Sequence, residues 1–145
     1  MSGVASRYVA SFFVELFSEF LRFGVHQNDL TVEEVAIICL VASESTRELR
    51  KDPFLTRTFA NEDAAIPDEA RPAVSLKFIY TSLGMSRETT RRRVNGLVAR
   101  GYLRRSGRSF LFPAQIGDAD YTFEIRGFLN RKMKDLNSYL ARIPD

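Results

Sequence analysis

Apolar positions recur with a helical period over most of this chain and give way to a hairpin pattern in one place. Between Tyr8 and Phe23, the residues Val9, Phe13, Leu16, Phe20 and Phe23 fall three or four apart, and Phe12, Phe17 and Leu21 widen the stripe. Gly24 closes the helix predicted over 8–24, and His26-Gln27-Asn28-Asp29 reads as a polar connection. The residues opposite the stripe, among them Ser11, Glu15, Ser18, Glu19 and Arg22, lack the basic face of a membrane-surface helix. Thr31-Val32-Glu33-Glu34 is a capping box. It opens a helix whose middle, Ala36 to Ala42, is apolar on every side and so is expected to be surrounded by others. Its polar tail extends the prediction to Lys51, about five turns, with Pro53 just beyond.

Phe54 to Arg71 is longer than the usual connection of about 4–6 residues. Asn61-Glu62-Asp63 and Pro67-Asp68-Glu69 are acidic and turn-prone, a short helix is expected around Phe54 to Phe59, and Ala73-Val74 fits a short strand. Past a loop at Gln115 to Asp120, a terminal helix is predicted over 121–143. Its stripe is Ile125, Leu129, Met133, Leu136, Leu140 and Ile143, flanked by Phe128 and Tyr139, and Gly127 is a candidate kink.

The densest signals lie between Ser75 and Pro113. Ser75 is a good N-cap, Ile79, Tyr80 and Leu83 make one apolar face, and Gly84 can take the left-handed conformation of a C-cap. Ser86 is a second N-cap, and Thr90, Val94, Leu97 and Gly101 mark the packing stripe of a second helix. Glu88, Arg91, Arg92, Asn95 and Ala99 lie opposite that stripe. Two β-prone runs, Tyr102 to Arg105 and Arg108 to Phe112, then flank Ser106-Gly107, which is a hairpin signal. Pro113 ends the second strand. Two helices around a tight turn form a helix-turn-helix, and a hairpin directly after it is a wing.

Ser75, Ile79, Leu83-Gly84, Ser86-Arg87, Thr89, Arg91, Val94, Leu97 and Gly101-Tyr102-Leu103 together resemble the DNA-binding domain of bacterial winged-helix transcription regulators of the MarR and GntR kind. The resemblance covers about a quarter of the chain. It implies a mainly α fold with a small β-wing, the winged helix-turn-helix spanning 31–113 and flanked by N- and C-terminal helices in a single domain, 1–145. It also implies a sequence-specific regulator that binds double-stranded DNA. A single module of this size can shelter one of the two wide terminal stripes, so a homodimer through the terminal helices is expected. Arg87, Thr89 and Arg91 then become the leading DNA contacts. Arg92 and Asn95 face the bases or adjacent phosphates, Glu88 can accept from cytosine N4, and Thr89 with the Ser86 amide can hold phosphate. Arg104, Arg105 and Arg108 would carry the wing along the backbone or into the minor groove.

Three departures stand beside this likeness. Tyr80 occupies a position where these families usually have a small residue, the wing lacks the Asp-x-Arg signature of MarR proteins, and no separate GntR-type effector domain fits in the remaining residues. An aromatic cavity between the terminal helices could house a small-molecule effector, but core packing is the expected use of those rings.

Charge points the same way. Between Arg71 and Arg108 lie ten basic residues and one acid, Glu88, so the segment carries +9 in a chain whose formal charge is +3, and the remainder sums to −6. Such asymmetry fits a localised polyanion site. Arg93 borders the packed face and is a candidate partner for an acid of another helix. The alternative reading is a winged-helix interaction or assembly module without specific DNA binding, which would not need so concentrated a positive charge.

Enzymatic chemistry finds no set of residues. The single histidine, His26, sits in a polar stretch, and one His with one Cys makes neither a zinc site nor a Cys/His pair. No phosphate-cradling glycine loop is present, and no cofactor is expected. Cys39 reads as a small buried hydrophobe, with a redox switch as the lesser alternative. With no long apolar run and no signal-peptide pattern, a cytoplasmic location is the expectation.

Overall fold

The computed structural model describes residues 3–58, 66–114 and 119–142. In chain order its elements are α1 (Gly3–Gln27), α2 (Val32–Ser45), α3 (Arg47–Lys51), α4 (Pro53–Thr58), β1 (Val74–Ser75), α5 (Leu76–Leu83), α6 (Arg87–Ala99), β2 (Arg104–Ser106), β3 (Ser109–Leu111) and α7 (Ala119–Ala141), with a 3-10 turn at Asp68–Ala70. The fold is thus mainly helical with one small antiparallel sheet, ordered β1-β3-β2. It forms two compact units, Met1–Thr31 with Asp118–Asp145, and Val32–Gly117.

The first unit is the pair of terminal helices. Helix α1 passes through Gly24, which is buried and does not end it, and His26 lies in its last turn. The chain turns instead at Asp29, whose φ of 53° is a left-handed conformation that aspartate tolerates better than most residues. Helix α7 starts two residues earlier than expected and is unbroken at Gly127; Ile143, expected in its stripe, lies outside the described residues.

Pairing uses Phe20 and Phe23 of the predicted α1 stripe together with Phe12, Phe128 and Tyr139 from the edges of the two stripes, while the middle of the α7 stripe stays outside. Phe23 stacks on Phe128 at 5.3 Å between ring centroids, Phe20 lies tilted against Phe128 at 6.0 Å, and Phe12 meets Tyr139 edge-on at 5.4 Å. Between these contacts Lys132, only 6% exposed, places Nζ 3.2 Å from Glu15, 3.3 Å from Asp135 and against Glu19. The Tyr139 hydroxyl donates to Glu15 at 3.0 Å. Glu15 and Glu19, expected on the solvent side, therefore sit in the pairing face, while Phe13, Phe17, Leu129, Met133 and Leu140 are exposed. The reason is electrostatic: an ammonium taken out of water must bring carboxylates with it. Burial opposes the Lys132 charge, yet hydrogen bonds with Glu19, Glu15 and Asp135 outweigh it and raise the pKa above the ordinary lysine value. The Tyr139 hydroxyl and the Lys132 ammonium hold the Glu15 carboxyl below its usual range.

The second unit is built on α2. Val35, Ile37, Ile38 and Val41 are buried from this helix, alongside Ile79 of α5, Val94 and Leu97 of α6, and Phe110 and Leu111 of β3. Two expectations for α2 are corrected. It is not covered on every side, since Val32 and Cys39 are exposed. Neighbouring atoms still desolvate the Cys39 thiol enough to raise its pKa, which works against a reactive thiolate. Nor does the helix run to Lys51. It ends at Ser45, and Thr46 breaks the path with φ −109°, ψ 11° before α3 resumes. Helix α4 then starts on Pro53, with Phe54 N donating to the Asp52 side chain at 2.9 Å; Phe59, expected in this helix, lies outside the described residues.

Ser45 explains the early ending. It is 2% exposed; its hydroxyl donates to the Pro72 carbonyl at 2.9 Å and accepts from Phe112 N at 3.0 Å. One side chain thus ties the end of α2 to the chain entering β1 and the chain leaving β3. Removing it leaves a part-buried backbone donor and a part-buried backbone acceptor without that partner. Ser45→Ala is therefore expected to destabilise the Val32–Gly117 unit by roughly 1–3 kcal/mol in denaturant unfolding, well beyond what the lost side-chain volume would cost.

Candidate nucleic-acid interface

Two short helices and a hairpin gather the basic residues of the second unit. Ser75, the last residue of β1, also caps α5, its hydroxyl accepting from Phe78 N. Gly84 ends that helix at φ 66°, and both Gly84 N and Met85 N donate to the Tyr80 carbonyl. Tyr80 is half-buried. The turn then reaches Ser86, whose hydroxyl accepts from Thr89 N at 3.2 Å and starts α6. Thr90, Val94 and Leu97 are fully buried. Thr90 satisfies its hydroxyl by donating to the Ser86 carbonyl at 2.8 Å, so a polar side chain occupies the packed face without an orphaned group.

That packing turns the other side of α6 outward. Ser86, Arg87, Glu88, Arg91 and Arg92 are exposed, and Thr89 and Asn95 are half-buried. Arg91 and Glu88 form a two-pronged ion pair: Nε to Oε2 at 3.1 Å and Nη2 to Oε1 at 2.6 Å. The pair lowers the Glu88 pKa, first through the hydrogen bond from Arg91 and then through its charge, and raises that of Arg91. Arg93 turns away toward α2, with Nε 3.6 Å from Glu33.

The hairpin adjoins this face. Its strands are shorter than the sequence pattern indicates, Arg104–Ser106 and Ser109–Leu111, with the two-residue turn at Gly107-Arg108 instead of Ser106-Gly107. Gly107 takes φ 62°, as a left-handed first turn position requires. Tyr102 and Leu103 precede the strand and are buried as core residues. The third strand is Val74–Ser75, one residue later than expected, and pairs with Phe110 and Ser109. Arg105 lies over the Phe110 ring at 5.0 Å and donates to the Asn95 side chain at 2.7 Å, which links the hairpin to α6. Asn95 and Arg105 are therefore joined to each other as well as facing outward.

A second tie lies at the base of the hairpin. Asp68 accepts from Arg104 Nη1 at 2.5 Å and from Ala114 N at 2.7 Å, with Arg71 Nε at 4.0 Å. Arg71 is half-buried and donates to the Ile66 and Phe112 carbonyls at 2.9 and 3.0 Å; burial lowers its pKa, and Asp68 offsets part of that. Arg71 is framework, and Arg104 is held by an acid. Among the described residues, Lys77, Arg87, Arg92 and Arg108 are exposed with no hydrogen-bond or ion-pair partner. The arrangement sets the held guanidinium groups of Arg91, Arg104 and Arg105 beside the unpartnered ones of Arg87, Arg92 and Arg108, which suits an extended anion. Among the described residues no group of His, Cys, Asp and Glu could hold a metal ion, and no helix is long and apolar enough to cross a membrane.

Ser45, Asp68 and Arg71 escape sequence reasoning as organisers of this surface. Ser45 carries one signal, a polar residue four positions after Val41 on a buried stripe. Asp68 reads only as part of a turn.

No family model matches this chain, and neither a curated protein nor a solved structure matches it. The function accordingly has to be read from residues and geometry.

Asp68 and Arg104 separate by cost. Arg104 is largely exposed, so Arg104→Ala is expected to cost less than about 1 kcal/mol of stability. Asp68→Ala also strips partners from the Ala114 amide and the neighbourhood of Arg71, and is expected to cost roughly 1–3 kcal/mol. Paired thermal or denaturant unfolding of the two variants checks the order.

Proposed function

We propose that this protein is a dimeric, sequence-specific DNA-binding transcription regulator with a winged helix-turn-helix. The observation that carries the reading is the outward face of α6, where Arg87, Arg91 and Arg92 stand clear of the core beside a hairpin bearing Arg105 and Arg108. In this reading α6 enters the major groove and the β2–β3 hairpin, the wing, follows the backbone or the minor groove. Arg91 engages a guanine edge, and Arg87 and Arg92 take the same strand or its phosphates. Arg108, unpaired at the tip of the wing, is a phosphate contact, whereas Arg104 and Arg105 contribute charge from fixed positions.

A dimer supplies the second half of the operator contact. Phe13, Phe17, Leu129, Met133 and Leu140 leave a large apolar surface on the terminal helices; Phe17 and Met133 are 67% and 58% exposed. A monomer gains nothing from such a surface, and a second copy of the same helices would bury it. Two reading helices about 34 Å apart would then match half-sites one turn apart.

Selection from a random DNA pool should enrich one sequence, preferably with two-fold symmetry. Arg91→Ala should weaken its binding by roughly 1–3 kcal/mol and relax one base position. Arg108→Ala should weaken all duplexes alike and lower the salt slope by about one unit. Loss of duplex retention at modest salt with no enriched sequence would favour an assembly module instead.

The oligomeric state is tested separately. Light scattering or sedimentation should find a dimer at micromolar concentration for the wild type and a folded monomer for Phe17→Glu or Met133→Glu, both of which alter exposed positions. A monomeric wild type would defeat the dimer.

A further inference from the structure

We propose that Glu88 is a positioning residue that sets the base preference of Arg91, not a reader of DNA itself; the inference rests on the DNA-binding reading above. A free arginine on a helix surface samples many rotamers, and ordering it on binding costs affinity and blurs geometry. Here the carboxylate three residues earlier takes two donors, Nε and Nη2, in an exposed ion pair. A guanidinium has five N–H groups, so three remain, both of Nη1 and the second of Nη2. One from Nη1 and the one left on Nη2 form the end-on fork, which matches the O6 and N7 acceptors of guanine.

The same pairing makes Glu88 a poor base reader. Its two oxygens are occupied by Arg91, and the lone pairs left face a groove lined by phosphate. As the only acid between Arg71 and Arg108, it also opposes any register that brings α6 against phosphate oxygens. Arg87 and Arg92 act on Glu88 through their charge alone, while Arg91 also hydrogen-bonds to it, so Arg91 alone among the three is pre-aimed. Glu88 thereby converts one of three similar cations into the specific one and disfavours nonspecific docking.

Base preferences measured by pool selection for wild type, Glu88→Ala, Arg91→Ala and the double variant test this. Discrimination at the Arg91 position should fall roughly tenfold in Glu88→Ala. Nonspecific duplex binding should not weaken, and the double variant should match Arg91→Ala alone. Glu88→Gln, which keeps an acceptor but loses the charge, should fall between. In the free protein, the Arg91 Nε–H signal in NMR should be protected from exchange and lose that protection in Glu88→Ala.

Three results would overturn the proposal. A change of preference at a base position that Arg91→Ala does not affect would make Glu88 a direct reader. Lowered thermal stability with unchanged preference would leave it only the role of a favourable charge at a helix start. Failure of the wild type to enrich any sequence would overturn the DNA reading itself, and the proposal with it, and the Arg91 signal would separate that case by reporting the ion pair without DNA.

Discussion

The outward face of α6 exists because its inward face has one solution. Thr90, Val94 and Leu97 are fully buried, as are Ile37 and Val41 of α2 and Ile79 of α5. Rotating α6 by one residue's worth of turn, about 100°, would bring arginine toward that packing and lift apolar side chains into water. An unpaired buried guanidinium costs several kcal/mol, and each exposed Val or Leu forgoes about 1.5–3 kcal/mol. Both penalties act together, so the orientation of the cations follows from the hydrophobic stripe rather than from any attraction of their own. Thr90 fits because its hydroxyl closes on the Ser86 carbonyl within the same turn.

Charge in this surface is less freely available than the composition implies. Arg71 is taken up by backbone carbonyls, Arg93 lies toward Glu33, and Arg104 lies on Asp68. Arg105 is fixed between Phe110 and Asn95. These contacts reduce the mobile positive charge but increase its definition, since a side chain already held in place loses little entropy when a ligand arrives. The surface thus combines held groups with the unpaired Lys77, Arg87, Arg92 and Arg108. Long-range attraction depends on net charge and is screened within about 8 Å at physiological salt, whereas discrimination depends on geometry; in the DNA-binding reading proposed above the two sets of side chains would divide these roles.

Local signals make most of this unit legible from sequence alone. Ser75 and Ser86 cap the helices expected of them, Gly84 takes its left-handed turn, and Gly107 opens the hairpin. Each depends on bonds spanning a few residues, so neighbouring letters carry the information. What escapes depends on partners far along the chain. Ser45 meets Phe112 across 67 positions and Asp68 meets Ala114 across 46. No periodicity encodes those meetings, and they decide where α2 stops and how the hairpin is anchored. The hairpin ends are misplaced for a related reason: Tyr102 and Leu103 are β-prone, but their burial under the hairpin takes them out of the ladder.

Helix α7 shows the opposite error, a strong pattern read onto the wrong contact, whereas on α1 the stripe members Phe20 and Phe23 do meet Phe128. Leu129, Met133 and Leu140 recur with the spacing of a packing stripe, and α1 nevertheless meets α7 through Phe128, Lys132 and Tyr139. A periodic apolar stripe marks the face that must leave water; it does not say which neighbour will cover it. The row that pairs contains a buried lysine answered by Glu15, Glu19 and Asp135, an arrangement that tolerates little sliding, because a shift of one turn would leave the ammonium or its carboxylates uncompensated. Register within the pair is thus set by charge, and the apolar stripe is left over. If those residues packed within the pair, the polar row would face water and Lys132 would have no cause to be buried. The burial of Lys132 and the exposure of Met133 are therefore one structural choice, in which register within the pair is assigned to a polar contact and the apolar residues Leu129, Met133 and Leu140 are left outside it.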